Sequence, residues 1–294
     1  MALDLVHTAG RVFRRSLRFA APFVGTEVPV LTYHSIDTTG SLLSVHPDMF
    51  RAQIAHLKAE NWRCLSIAEY LDQVGAATPE PRTFLITFDD GYRNFGQYAA
   101  PLLAEFGFTA TVFVPVDFVG KQPLWLERDR GSTGPLLDKV GMSAEERRAL
   151  EVCTTFLLRD LLMDWTELRE LTKAGFDIQS HSSAHFMLTK LSADDVAADM
   201  TRSRLILEDR LGVRVAAIAY PYGDANGHVA AAARASGFDV GFVSDHGPRD
   251  AQRMMSWRGG VSDRQSPTEL ISLLRSWPLY PRLRHLVRRA RGCG

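Results

Sequence analysis

From residue 28 onward, short apolar runs alternate with segments whose apolar residues fall at helical spacing, and this alternation constrains the fold of the 294-residue chain more than any other feature. Val28 to Ile36, Cys64 to Ile67, Thr83 to Phe88, Thr109 to Val116, Phe176 to Ser180, Val215 to Tyr220 and Phe238 to Ser244 read as strands. Between them, Pro47 opens a helix whose apolar stripe is Met49, Phe50, Ile54 and Leu57. Further helices run through Tyr70 and Val74, up to Phe106, over Asp164 to Ala174, from Ser192, and over Asn226 to Ser236. Gly175, Gly212 and Gly237 stand where helices should stop. Strands alternating with helices imply a mostly parallel sheet. A closed barrel would gather the strand ends in a ring, whereas an open doubly wound sheet would spread them along a line.

One strand ends in unusual chemistry. Leu85-Ile86-Thr87-Phe88-Asp89-Asp90-Gly91 is an apolar run that delivers two adjacent carboxylates and a glycine. Neighbouring side chains on a strand point to opposite faces, so the two carboxylates can do different jobs, one holding a metal and the other moving protons. Two ionised carboxylates this close also repel, which calls for a nearby cation. A metal shared with His181 and His185, the single His-x-x-x-His pair of the chain, would supply it. The plain alternative is a solvated Asp-Asp-Gly turn.

The string Thr87-Phe88-Asp89-Asp90-Gly91, then His181-Ser182-Ser183-Ala184-His185, then Ala219-Tyr220-Pro221-Tyr222-Gly223, resembles the first three motifs of the polysaccharide deacetylase family. These are the NodB-type enzymes of carbohydrate esterase family 4. Val30-Leu31-Thr32-Tyr33-His34-Ser35 resembles the first strand of the branch related to poly-N-acetylglucosamine deacetylases, and the likeness spans roughly residues 28 to 262. It implies an α/β fold, a distorted (β/α)7 barrel of mostly parallel strands, with all three motifs on its C-terminal face.

The resemblance also implies the site. Asp89 would be the general base, while Asp90, His181 and His185 would ligate a divalent metal, zinc by ligand type, with cobalt, nickel or iron also suited. The backbone N–H of Tyr222 would help hold the oxyanion. Many members carry an arginine two residues before the third motif's proline to orient the base; Ala219 stands there, and Arg258 in Ser256-Trp257-Arg258-Gly259-Gly260 is the substitute, placed before the last strand. The family's acid normally comes from a C-terminal Leu-x-His. In the related branch a first-strand histidine takes that place, so the acid is assigned here to His34.

The implied activity is removal of N-acetyl groups from amino-sugar units of a bacterial exopolysaccharide or its lipid-linked precursor. The rivals are deacylation of a small amide and a carbohydrate-binding protein with a decayed site. His46, His56, His228, His246 and His285 lie outside these assignments, and Trp62, Trp257 and Trp277 read as core.

With 46% hydrophobic and 23% charged residues the chain is globular, and zero formal charge argues against a nucleic-acid-binding domain. The charge is uneven, however. Arg11, Arg14, Arg15 and Arg18 lie on one face of a predicted amphipathic helix, and Arg275, Arg282, Arg284, Arg288, Arg289 and Arg291 end the chain with no acid among them. Such basic ends suit peripheral contact with an anionic membrane, or docking on the barrel through their apolar stripes. Three domains are expected: a basic segment 1–27, the barrel 28–264 with an insertion at about 121–163, and a basic helical segment 265–294. Within the insertion, bracketed by Trp125 and Trp165, Ser143 and Glu146 have the form of a capping box. Cys64, Cys153 and Cys293 form neither a disulfide framework nor a zinc spacing. No window reaches the roughly 20 apolar residues of a membrane span, and Phe19 to Gly25 is too short and too late for a signal peptide. The expected location is cytoplasmic, peripheral to the inner membrane if the basic ends bind lipid.

Overall fold

Thr83–Phe88 is six residues with every side chain buried, as a strand covered on both faces must be. The computed structural model describes residues 27–41, 43–129, 161–244, 253–263 and 265–277. The expected N-terminal basic helix, the expected capping box at Ser143, Cys153, His246 and the C-terminal residues from Pro281 lie outside them.

Ten strands are present among these residues: β1 (Val30–Tyr33), β2 (Ser35–Ile36), β3 (Ser44–Val45), β4 (Arg63–Leu65), β5 (Thr83–Phe88), β6 (Thr111–Val114), β7 (Asp177–Ser180), β8 (Ala217–Ala219), β9 (Val240–Ser244) and β10 (Ser256–Gly260). Seven of them close a parallel ring, running from β1 through β10, β9, β8, β7 and β6 to β5, which pairs back with β1. In that closing pair Val30 lies opposite Leu85 and Tyr33 opposite Phe88. β4 borders only the first half of β5, where Arg63 faces Thr83, and β6 takes over along the second half. The fold is therefore the expected (β/α)7 barrel and not an open sheet.

The helices are α1 (Pro47–Ala59), α2 (Ile67–Gly75), α3 (Ala100–Glu105), α4 (Trp125–Arg128), α5 (Trp165–Lys173), α6 (Ala193–Leu211), α7 (Gly227–Ala235) and α8 (Pro267–Arg275). Capping boxes open α2 at Ser66, α5 at Asp164 and α8 at Ser266, each completed by a glutamate three residues on. Gly175, Gly212 and Gly237 all take left-handed backbone just past helix ends, as their positions predict.

The boundaries shift for local reasons. The strand expected to reach Ile67 stops at Leu65, because Ser66 and Glu69 cap α2 and Ile67 is its first residue. The helix ending near Phe106 begins with a π turn, Phe95–Ala99, just before Pro101, which has no N–H for a regular helical bond. β10 has no counterpart among the expected strands, and Arg258 lies within it, not before it. Its Ser-Trp-Arg-Gly-Gly sequence lacks an apolar run; it is a strand because β9 and β1 pair with it on either side. Gly259 is needed there, since a Cβ would come within 3.0 Å of the Trp277 ring. α8 packs on α1, and Leu270, Ile271, Leu273, Leu274 and Trp277 join the main core, so the chain as far as Trp277 is built into the barrel.

Candidate active site

Among the described residues, nearly all the buried charge gathers toward the C-terminal side of the barrel. Asp89, Asp90, His181, His185 and Arg258 are each at most 5% exposed, a burial that charged groups accept only when paired.

The backbone after β5 separates the two aspartates. The Asp89 N–H continues the ladder by donating to the Tyr33 carbonyl at 3.0 Å. Asp90 and Gly91 then turn left-handed, at φ 70° and 72°. As a result Asp89 faces Arg258 and Asp90 faces the histidines. Arg258 Nη1 and Nη2 donate to the two Asp89 oxygens at 2.6 and 2.7 Å, and Nη1 also reaches Thr87 Oγ1 at 3.3 Å. The guanidinium lies over the rings of Phe113 and Phe242, at 5.4 and 5.8 Å from their centres. Burial alone would raise the Asp89 pKa, but Arg258 first, then His181, hold it below the usual carboxylate range. Arg258 therefore pairs with Asp89 through both terminal guanidinium nitrogens.

The loop after β7 is fastened from several sides. Ser182 Oγ accepts the His185 N–H at 3.0 Å, and Asp199 of α6 accepts the Ser183 and Ala184 N–H groups at 2.9 and 3.2 Å. This loop places Nε2 of His181 and of His185 at 3.4 and 3.3 Å from one Asp90 oxygen. The three ligand atoms lie within 4.8 Å of one another.

These residues fit a metal ion. Arms of roughly 2.0–2.1 Å to a central ion place tetrahedral ligand atoms about 3.3–3.4 Å apart. The tautomer agrees: His181 Nδ1 lies 2.8 Å from the Ala219 carbonyl, which can only accept, so Nδ1 carries the proton and Nε2 offers its lone pair. Burial would raise Asp90, yet the two imidazoles that face it outweigh this and hold it below the usual carboxylate range. Burial would lower both imidazoles; His181 is raised nonetheless because Asp89 and Asp90 both face it, while His185 stays lowered.

His34 follows β1 directly and is half-buried. The Tyr33–Asp89 backbone bond brings it beside Asp89. Tyr222, at φ 61°, presents its ring edge to His185 with centroids 4.8 Å apart, and its hydroxyl donates to Asp129 at 2.5 Å. The structure thus brings together Asp89, Asp90, His181, His185, Arg258, Tyr222 and His34.

The other described histidines lie elsewhere: His46 caps α1, His56 is within it, and His228 opens α7. Trp62 and Trp277 are buried as expected and Trp257 is half-buried. Sequence reasoning missed Trp125, Arg128, Asp129 and Asp199, which touch the motif loops from distant positions and leave no local pattern. It also passed over Leu283-Arg284-His285, which does spell Leu-x-His and lies outside the described residues. The case for His34 therefore rests on where it stands, beside Asp89.

A parallel seven-stranded barrel thus carries a buried Asp-His-His triad and an arginine-bound aspartate at its C-terminal mouth. Residues 76–241 match the family described as polysaccharide deacetylase. The chain belongs to that family. It is 25% identical over 222 residues to YxkH of Bacillus subtilis, a protein only provisionally named as a polysaccharide deacetylase, covering 75% of this chain and 66% of the relative. It is 22% identical over 275 residues to the poly-beta-1,6-N-acetyl-D-glucosamine N-deacetylase of Escherichia coli (strain K12), covering 83% of this chain and 38% of that one. The chain thus spans under two thirds of each of these relatives. Among solved structures, the Streptococcus pyogenes deacetylase PplD in complex with acetate superposes with a TM-score of 0.67 at 22% identity, over 84% of this chain and 98% of that one.

Proposed function

We propose that this chain is a metal-dependent N-deacetylase acting on N-acetylated amino-sugar units of a bacterial exopolysaccharide, free or lipid-linked. The observation that carries the reading is the juxtaposition of a buried Asp90–His181–His185 triad with Asp89, an aspartate gripped by Arg258. A binding protein has no use for an ionised carboxylate beside a ligand set, whereas metal-assisted hydrolysis of an amide uses both.

Asp90, His181 and His185 would hold the ion, which when bound supplies Lewis acidity toward the acyl oxygen and toward water. Asp89, kept ionised by Arg258, takes a proton from the attacking water as its oxygen bonds to the acyl carbon. The Tyr222 N–H donates to the oxygen on which negative charge develops. His34 gives its proton to the amine as the carbon–nitrogen bond breaks, leaving acetate and a free amino sugar. The basic ends would hold the enzyme against an anionic membrane, where a lipid-linked saccharide would meet it.

The test is acetate release from poly-N-acetylglucosamine, from its short oligomers and from a lipid-linked N-acetylated saccharide, before and after chelation and with metal restored. Release that needs metal and prefers a saccharide is expected. Full activity after chelation would sink the metal dependence, and turnover confined to small non-sugar amides would sink the substrate class.

A further inference from the structure

We infer that the stretch from Trp125 to Asp129, at the start of the long insertion, is a brace that fixes His185 and the Tyr222 loop, making Trp125, Arg128 and Asp129 positioning residues of the active site. The inference rests on the metal reading above, and it starts from a difference between the two histidines. His181 is oriented by its Nδ1 hydrogen bond to Ala219. Among the described residues His185 Nδ1 is buried with no hydrogen-bond partner, although a ligating imidazole ordinarily donates its second N–H to a supporting group. The backbone of His185 is also left-handed, at φ 53°, a conformation that persists only where surrounding contacts impose it.

Besides Ser182 and Asp199, which fasten its loop, contacts on His185 come from the insertion. Trp125 is 1% exposed and lies flat on the His185 ring, with centroids 4.6 Å apart and planes 20° apart. Phe118 packs edge-on against Trp125 at 4.8 Å and holds it in turn. Arg128 donates to the carbonyls of Ala184 and His185 at 2.8 and 2.7 Å, and it covers Phe186 at 4.1 Å. Asp129 pairs with Arg128 at 2.8 Å and accepts the Tyr222 hydroxyl. One short stretch therefore grips both the second and the third motif loops.

The base of the insertion is tied to the first motif loop as well. Met163 N–H donates to the Gly91 carbonyl at 2.9 Å, and Arg93 N–H donates to Leu161 at 3.0 Å. Gly120 and Leu162 N–H donate to Met163 and Lys121 at 3.0 and 2.9 Å, closing the two ends of the insertion on each other. A segment added between β6 and α5 is thus bonded to all three loops that carry the proposed chemistry. For His185, a flat aromatic stack performs the orienting task that a hydrogen bond performs for His181.

The test is Co2+ binding to the full chain, read as affinity by chelator competition and as geometry by the visible absorption band, with the metal-free melting temperature checked in parallel. Trp125→Leu should weaken Co2+ binding by about 10- to 100-fold and change the band, whereas Trp125→Phe should restore both. A folded Trp125→Leu protein with wild-type affinity and spectrum would overturn the inference. Should that variant fail to fold, Asp129→Asn decides the matter: turnover about 10-fold lower with KM and Co2+ affinity held is expected, and unchanged turnover refutes the brace. Wild-type protein that takes up no Co2+ would remove the metal reading, and this inference with it; Co2+ bound alike by wild type and Trp125→Leu removes the brace alone.

Discussion

The two ends of the barrel carry the same backbone irregularity under different conditions. At the entry ends of the strands, Asn61, Arg82 and Arg253 are left-handed, and all three are exposed. At the exit ends, Asp90, Ser182 and His185 are left-handed and buried, and Tyr222 is left-handed and half-buried. An exposed left-handed residue is a turn that water solvates and that a neighbour can relax. A buried one costs of order 1–3 kcal/mol and survives only where packing leaves no alternative. The carboxylates divide in the same way. Asp89 and Asp90 at the exit end are held ionised by Arg258 and the histidines, whereas Asp177 at the entry end is pushed up by burial, with Glu69 nearby adding to the shift. Strain and charge that are tolerated at one end are built at the other.

The comparison breaks most sharply at the triad. His181→Ala and His185→Ala should each abolish metal retention and reduce acetate release to background, measured by elemental analysis and by assay of the same preparation. Full metal occupancy in His181→Ala would show that the cluster is an ordinary polar core. Asp89→Asn should keep the metal and lose turnover by 10²- to 10⁴-fold, because it removes the base and spares the ligands. More than about half the wild-type rate in that variant would remove Asp89 from the mechanism.

Much of the exit end is readable in the sequence because each motif follows a strand-like segment, apolar before the first and third motifs and alternating before the second. Phe88, Ser180 and Ala219 close strands that periodicity detects, and the chemistry stands in the next few residues. The resemblance then assigns roles that spacing alone leaves open, such as which of Asp89 and Asp90 would ligate a metal. The separation itself comes from the left-handed turn at Asp90. β10 stays hidden because Ser256–Gly260 earns its strand from its neighbours' hydrogen bonds and not from its own side chains. The contacts of Trp125 with His185 and of Asp129 with Tyr222 are hidden for a related reason: they join residues far apart in the chain, and no short-range period marks them.

A smaller effect is expected at His34. His34→Ala should lower turnover by about 10²-fold, with metal affinity unchanged. An acid works only while protonated, so the wild-type rate should fall as pH rises, and that alkaline limb should be missing from the variant. Turnover against pH for wild type, His34→Ala and His285→Ala decides between the two histidines. An alkaline limb that survives in His34→Ala and disappears in His285→Ala would move the acid to the C-terminal Leu-x-His.

The smallest effect belongs to the entry end. The Asp177 carboxylate accepts the Ile67 N–H at 2.8 Å, yet burial outweighs that bond and Glu69 adds to the upward shift. A carboxyl whose folded pKa lies above its unfolded value binds more protons folded than unfolded across that interval. Stability therefore falls as pH rises through the window, from the ordinary carboxylate value up to the raised one. Asp177→Asn keeps an acceptor oxygen for Ile67 and cannot ionise, so it should flatten that dependence. At neutral pH it should melt about 1–3 °C above wild type, with the gap closing as pH drops toward the ordinary carboxylate range. Thermal melts of both proteins across that range test the point. A variant that melts lower than wild type by a constant margin at every pH would mean that Asp177 contributes as an acceptor regardless of charge, and the contrast drawn between the two ends would then rest on the backbone alone.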